Sequence, residues 1–113
     1  MTRILVIDDE QASCRTLKLH FEGRGFQVET AGAAEEGLAL ILAEPYDLVI
    51  SDIRMPGIDG IEVLRRLRAM YPELAILLAT AFATYAQAVE AAKAGAWDYL
   101  PKPLDLDDLQ VKI

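Results

Sequence analysis

Residues 47–60 read DLVISDIRMPGIDG, and the fold turns on them. The run Leu48-Val49-Ile50 has no polar alternation, which marks a strand covered on both faces. It leads into an acid, Asp52. Pro56 and Gly57 then form a loop, and Gly60 opens a helical pattern. Burying a charge is costly unless it is paired or used. In open α/β sheets the C-terminal mouth of a strand is where ligands sit. A carboxylate there calls for partners elsewhere in the chain.

Working outward, apolar runs and helical patterns alternate. Ile4-Leu5-Val6-Ile7 is a first buried strand, bounded by Asp8 and Asp9. Cys14, Leu17 and Phe21 follow helical spacing from Gln11 to Arg24, with Gly23 and Gly25 as stop signals. Phe26 to Thr30 alternates and predicts an edge strand. Ala34 to Ala43 predicts a helix with Ala34, Leu38, Ile41 and Leu42 inward; Pro45 lies just beyond it. After the central stretch, Gly60 to Met70 is amphipathic, with Ile61, Leu64 and Leu67 inward. The basic run Arg65, Arg66 and Arg68 reads as a solvated face. Leu74 to Thr80 is a fourth strand. Tyr85 to Ala94 is an alanine-rich helix, with Ala86, Val89 and Ala92 or Lys93 on one side and Gly95 as its stop. Ala96 to Leu100 is the fifth strand, Pro101-Lys102-Pro103 breaks the chain, and Asp105 starts a last helix through Leu106, Leu109 and Ile113. This βαβ alternation implies a parallel sheet between helix layers, with right-handed crossovers.

The 113 residues suit one domain with its own core. Hydrophobic residues make up 53% and charged residues 26%, the balance of a globular protein. A net charge of −7 argues against nucleic-acid binding by this domain. No apolar run is long enough to span a membrane. MTRILVIDDE lacks a signal peptide's layout, and the single Cys14 suits a reducing cytoplasm. Cys14 reads as a small core residue and His20 as a surface residue. The chain stops inside a short helical pattern, which suggests a domain cut from a larger protein.

Asp8, Asp9 and Asp52 each follow a buried strand. Parallel pairing puts all strand C-termini on one edge, so adjacent first and third strands bring these acids together. Crowded carboxylates repel and tend to hold protons. A divalent cation resolves that, and hard oxygen ligands at a partly hydrated site favour Mg²⁺, or Mn²⁺. The fourth strand adds the hydroxyl of Thr80 and the fifth leads to the ammonium of Lys102. Together they make a phosphoryl-binding set, with a carboxylate as nucleophile. Each residue also has a plainer reading. Asp8 and Asp9 could cap the first helix; Asp52 could be a turn residue; Thr80 and Lys102 could simply end strands at the surface. The combination at four strand ends is what favours the site.

ILVIDDE, DLVISDIRMPGIDG, LLATA and GAWDYLPKPLD, in this order, resemble the receiver domain of two-component response regulators over the whole chain, residues 1–113. DIRMPGIDGIEVL and AVEAAKAGAWDYLPKP look most like the nitrogen-regulator type, whose receiver precedes an AAA+ module. The resemblance implies a five-stranded flavodoxin-like sheet in the order 2-1-3-4-5, with a short last helix. It implies that Asp52 accepts a phosphoryl group from a histidine kinase. Asp8, Asp9, Asp52 and the backbone carbonyl of Arg54 would hold Mg²⁺. Thr80, the backbone N–H of Ala81, and Lys102 would hold phosphoryl oxygens. Thr80 and Tyr99 would form the switch pair, and Pro103 would follow a cis peptide bond.

The implied role is a switch that alters the face of the fourth helix, fifth strand and fifth helix. That switch would govern an output module, controlling transcription in the cytoplasm; the same face would be the one for a homodimer, with the short last helix weakening dimerisation there. Arg54 and Phe82, bulky residues beside the site, would slow self-dephosphorylation. The domain would not be an enzyme beyond its own phosphotransfer and slow dephosphorylation. Alternatives are a stand-alone phosphorelay receiver, an interaction domain that has lost phosphorylation, and a phosphohydrolase with Asp52 as nucleophile. The last wants a general acid two residues on, where this chain has Arg54.

Overall fold

The strand pattern of the sequence closes into a sheet because residues alternate between two apolar layers. A computed structural model describes residues 2–113. Its elements are β1 (Arg3–Ile7), α1 (Gln11–Glu22), β2 (Gln27–Ala31), α2 (Ala34–Ala43), β3 (Leu48–Asp52), α3 (Gly60–Met70), β4 (Ala75–Thr80), α4 (Tyr85–Ala94), β5 (Asp98–Pro101) and α5 (Leu106–Lys112). The strands form one sheet in the order β2-β1-β3-β4-β5, and every pairing is parallel. Ile4, Val6, Leu48, Ile50 and Leu77 face the layer of α1 and α5, against Cys14, Leu17, Phe21 and Leu109. Leu5, Ile7, Val49, Ile76 and Leu78 face α2, α3 and α4, against Ala34, Ile41, Leu64, Leu67 and Ala91. The period of two along each strand thus serves two cores, and the central strands have no solvated face.

Register aligns the strand ends that carry the acids. Ile7 is opposite Ser51, Asp52 opposite Ala79, and Thr80 opposite Pro101. Asp8 and Asp9 continue directly from β1, so the carboxylates arrive at one edge by pairing alone. Gly60 then brings α3 close against that edge. Its N–H bonds the carbonyl of Ile53 at 2.9 Å. A Cβ there would collide with the carbonyl oxygen of Asp52 and lie 2.8 Å from Cα of Ile53.

Several expected helix faces are rotated. Leu42 is exposed, not inward, and Leu38 is only half-buried. The inner line of α2 is Ala34, Gly37 and Ile41, because side-chain-free Gly37 lets the helix rest on Ile7. In α4 the buried residue is Ala91, while Ala86, Ala92 and Lys93 are exposed. Alanine on every side gives too little hydrophobic contrast to fix a face. Ile113 stays partly exposed, and Leu109 is the residue of α5 that enters the core. His20 is half-buried, with its ring edge-on to Phe21 at 5.0 Å.

Arg68 is the largest correction to the solvated basic face. Its guanidinium donates to the carbonyls of Tyr71, Pro72, Leu74 and Gly95. It fastens the end of α3 to the turn after α4, where Gly95 adopts φ 98°.

We expect Gly60→Ala to lower stability by about 1–3 kcal/mol in urea unfolding, the usual range for overpacking. Gly37→Ala should cost less, since its Cβ meets only the Ile7 side chain and alanine gains helix propensity. Equal costs at the two positions would contradict the close approach of α3.

Candidate functional site

The chain after β1 turns sharply, and backbone bonds fix its first acid. The N–H of Asp8 bonds the carbonyl of Ala31 at 3.0 Å. Its Oδ1 accepts from the N–H of Glu10 at 2.9 Å, and the Cys14 thiol donates to its carbonyl at 3.3 Å. Asp8 is therefore buried at the start of α1, while Asp9 is exposed beside it. One carboxylate oxygen from each of Asp8, Asp9 and Asp52 falls in a group within 4.8 Å. The sequence-derived acids are thus brought together, and the plain capping reading accounts only for one oxygen of Asp8.

Lys102 comes in from the far side. Its N–H bonds the carbonyl of Thr80 at 2.8 Å, and its peptide bond to Pro103 is cis. Nζ then reaches Asp8 Oδ2 at 2.8 Å and Asp52 Oδ2 at 3.2 Å. The side chain of Asp52 is 10% exposed and that of Asp8 4%. Burial pushes the Asp52 carboxyl up; Lys102 opposes this, and the charge of Asp8 adds to it. Burial pulls the Lys102 ammonium down, but the hydrogen bond to Asp8 and the charges of both acids carry it above its ordinary value. With all three acids ionised, three carboxylates against one ammonium leave two negative charges. An all-oxygen donor set with that deficit fits a hard divalent cation such as Mg²⁺.

Thr80 is fully buried, and its Oγ1 accepts from the N–H of Phe82 at 3.1 Å. Its hydroxyl oxygen is thus tied to the following loop as an acceptor. Ala81 is exposed in that loop. The Arg54 guanidinium lies over the Phe82 ring, 4.4 Å from its centre, so the loops after β3 and β4 touch across the mouth. Asp59 stands apart as the cap of α3, accepting from the N–H of Glu62 at 2.9 Å. Tyr99 lies on β5 beneath α4. Its hydroxyl donates to Gln87 Oε1 at 2.7 Å and accepts from the N–H of Thr84 at 3.1 Å. Gln87 and Arg68 carry no signature that sequence reading could have used, because their partners are a distant phenol and backbone carbonyls.

A groove of about 230 Å³ opens beside the acids. Ser13, Thr16 and Leu17 of α1 line one side, and Pro103, Leu104 and Leu106 the other. Among the described residues, no helix is long and apolar enough to cross a membrane.

The family model described as the response regulator receiver domain matches residues 4–113. The chain is similar to the transcriptional regulatory protein ZraR of Salmonella typhimurium, with 45% identity over 107 residues, covering 95% of this chain and 24% of that protein. The chain thus spans about a quarter of that relative's length. Its structure resembles response regulator TrrA of Thermotoga maritima in complex with Mg²⁺–BeF, with a TM-score of 0.89, 38% identity, and coverage of 99% of this chain and 96% of that one. It also resembles a response regulator of Burkholderia pseudomallei with a phosphorylated aspartic acid, calcium ion and citrate. There the TM-score is 0.92 at 32% identity, covering 98% of this chain and 65% of that one.

Both shifted groups make stability fall as pH rises in metal-free buffer, but in different pH windows. Lys102 is held above the ordinary lysine value, so its pairing stabilises the fold below roughly pH 10.4 and is lost as pH rises through the raised folded value. The folded carboxyl of Asp52 titrates above its ordinary value of about 3.9, so its ionised form costs stability at neutral pH. That cost fades as pH falls through the raised folded value. Urea midpoints should show Asp52→Asn more stable than the parent at pH 7, with the gap closing on acidification. Lys102→Met should cost about 1–3 kcal/mol at pH 7, the scale for leaving charged hydrogen-bond partners unmet. The opposite order of these variants would contradict the electrostatics.

Proposed function

The chain belongs to the response regulator receiver domain family, and from that membership we propose that it is a phosphorylation-controlled switch whose phosphoacceptor is Asp52. The observation that most supports this assignment is the bridge from Lys102 to both Asp8 and Asp52, with Asp9 in the same carboxylate group. Receiver domains take phosphate from histidine kinases and bind Mg²⁺ at an acidic pocket. Here Asp8, Asp9, Asp52 and the Arg54 carbonyl would hold the Mg²⁺, or Mn²⁺ in its place. When bound, the ion supplies positive charge for the phosphoryl oxygens. The Mg²⁺–BeF and phosphoaspartate of the two solved relatives support this choice.

In the proposed transfer, an Asp52 carboxylate oxygen attacks phosphorus in line with the donor's imidazole nitrogen. A P–O bond forms, the P–N bond breaks, and its electron pair stays on the departing imidazole. The new acyl phosphate needs charge neutralisation and positioning rather than a general base. Lys102 turns from pairing two carboxylates to pairing a phosphoryl oxygen. Thr80 releases the N–H of Phe82 to donate its hydroxyl to another, and the Ala81 N–H takes a third. Arg54 stacked on Phe82 narrows the approach of water, which slows loss of the phosphate. The donor's histidine must come over this edge, and the groove between α1 and the segment 103–106 offers its carrier an apolar seat.

The output is proposed from the relatives' names. A protein of which this domain is one part would regulate transcription in the cytoplasm, through the face of α4, β5 and α5 or homodimers formed there. The nitrogen-regulator likeness favours an AAA+ module as that output.

Incubation with Mg²⁺ and acetyl phosphate, followed by intact mass measurement, should give one base-labile phosphoryl adduct. The adduct should vanish in Asp52→Asn and on chelation of the metal. An adduct that survives Asp52→Asn would overturn the assignment, and steady turnover of phosphomonoesters would favour a hydrolase.

A further inference from the structure

The two ends of α4 are held in very different ways. Its C-terminal half carries the buried Ala91. Glu90 pairs with Arg65 of α3 at 3.1 Å, and the Gly95 carbonyl takes two bonds from Arg68 at 3.2 and 2.7 Å. In the first turn no side chain is buried, and Tyr85 is 86% exposed. That turn is tied to the sheet through a small hydrogen-bond ring. The Thr84 N–H donates to the Tyr99 hydroxyl at 3.1 Å, the hydroxyl donates to Gln87 Oε1 at 2.7 Å, and the Gln87 N–H returns to Thr84 Oγ1 at 3.1 Å. Every polar atom of the ring has both a direction and a partner, so one amide oxygen decides where the phenol's proton goes.

The same loop is pinned at its other end by Thr80 Oγ1, which accepts from Phe82 N–H. The loop after β4 therefore hangs between Thr80 and the Tyr99–Gln87 pair. Any movement that frees the Thr80 hydroxyl drags on Thr84, two residues beyond Phe82, and so on the phenol.

We propose that Gln87 is a positioning residue that sets how readily Asp52 is phosphorylated, by holding Tyr99 in a latch that closes the first turn of α4. This rests on the reading of Asp52 as phosphoacceptor. With the latch closed, Thr80 stays on the loop; with it open, α4 pivots about Arg68 and Thr80 becomes free for the phosphoryl group. Gln87→Leu keeps the bulk and removes the acceptor. Gln87→Glu keeps an acceptor for the phenol.

The test uses the domain with Mg²⁺ and acetyl phosphate, following phosphorylation rate by intact mass and backbone amide exchange in the unphosphorylated state. Gln87→Leu should raise the rate roughly two- to ten-fold, the ratio set by one ordinary hydrogen bond. It should also speed exchange at Gln87 and Ala88 but not at Ala91 or Gly95. Gln87→Glu should restore parental behaviour. Tyr99→Phe, which removes the bond to Gln87 and also the one from Thr84, should raise the rate at least as much as Gln87→Leu, and the double variant should equal Tyr99→Phe, since the Gln87 bond is then already gone. Additive effects, failed restoration by Glu, or an unchanged rate in Gln87→Leu would overturn the latch. A parent domain that takes no phosphate would overturn the phosphoacceptor reading instead. The exchange pattern and its non-additivity would still decide whether the latch exists.

Discussion

The short bridge from Lys102 to Asp8 and Asp52 is the constraint around which the rest is arranged. Burial and the charge of Asp8 both raise the proton affinity of Asp52, and the Lys102 ammonium is the group that opposes them. Parallel pairing is what brings the two carboxylates together, and it brings Asp9 and Thr80 to the same edge. The packing must supply an ammonium in return. It comes from the chain beyond β5, placed by the bond from Lys102 N–H to Thr80 carbonyl. Fold and site are therefore one arrangement: sheet order decides which charges meet, and the charges make that edge costly unless Lys102 or a metal is present.

Much of this was legible in the sequence because it depends on period and position. Unbroken apolar runs such as Leu48-Val49-Ile50 mark buried parallel strands, and strand ends locate the acids without further information. The helices α2, α3 and α4 begin and end where glycine, proline and periodicity place them. Their orientation was less legible. Leu42 looks as apolar as Ile41, yet Gly37 on Ile7 turns it outward. The alanines of α4 give no contrast between faces. The basic stretch of α3 gives no hint that Arg68 reaches four carbonyl groups, since carbonyls leave no mark in a sequence.

The site divides in the same way. Asp8, Asp9, Asp52 and Lys102 could be brought together by topology alone. The states of Thr80 and Tyr99 could not. Thr80 turns its hydroxyl to Phe82 N–H, and Tyr99 is engaged with Gln87 and Thr84. Both are hydrogen-bond choices among several that the backbone allows. They give the molecule an arrangement in which the loop after β4 is held by the Thr80 oxygen at one end and the Tyr99 hydroxyl at the other. The edge of acids is a place where charge can change, and the loop after β4 is held beside it by a few hydrogen bonds, which is the kind of pairing a switch uses.

The central claim is that the acids at this edge form one charge-balanced site completed by a divalent cation. A Mg²⁺ titration followed by amide chemical shifts measures that directly. The account predicts saturable, single-site shifts at Asp9, Asp52, Ile53, Arg54 and Lys102, abolished by Asp9→Asn. Shifts centred on the acidic start of α5, at Asp105, Asp107 and Asp108, or Mg²⁺ binding undiminished in Asp9→Asn, would contradict it.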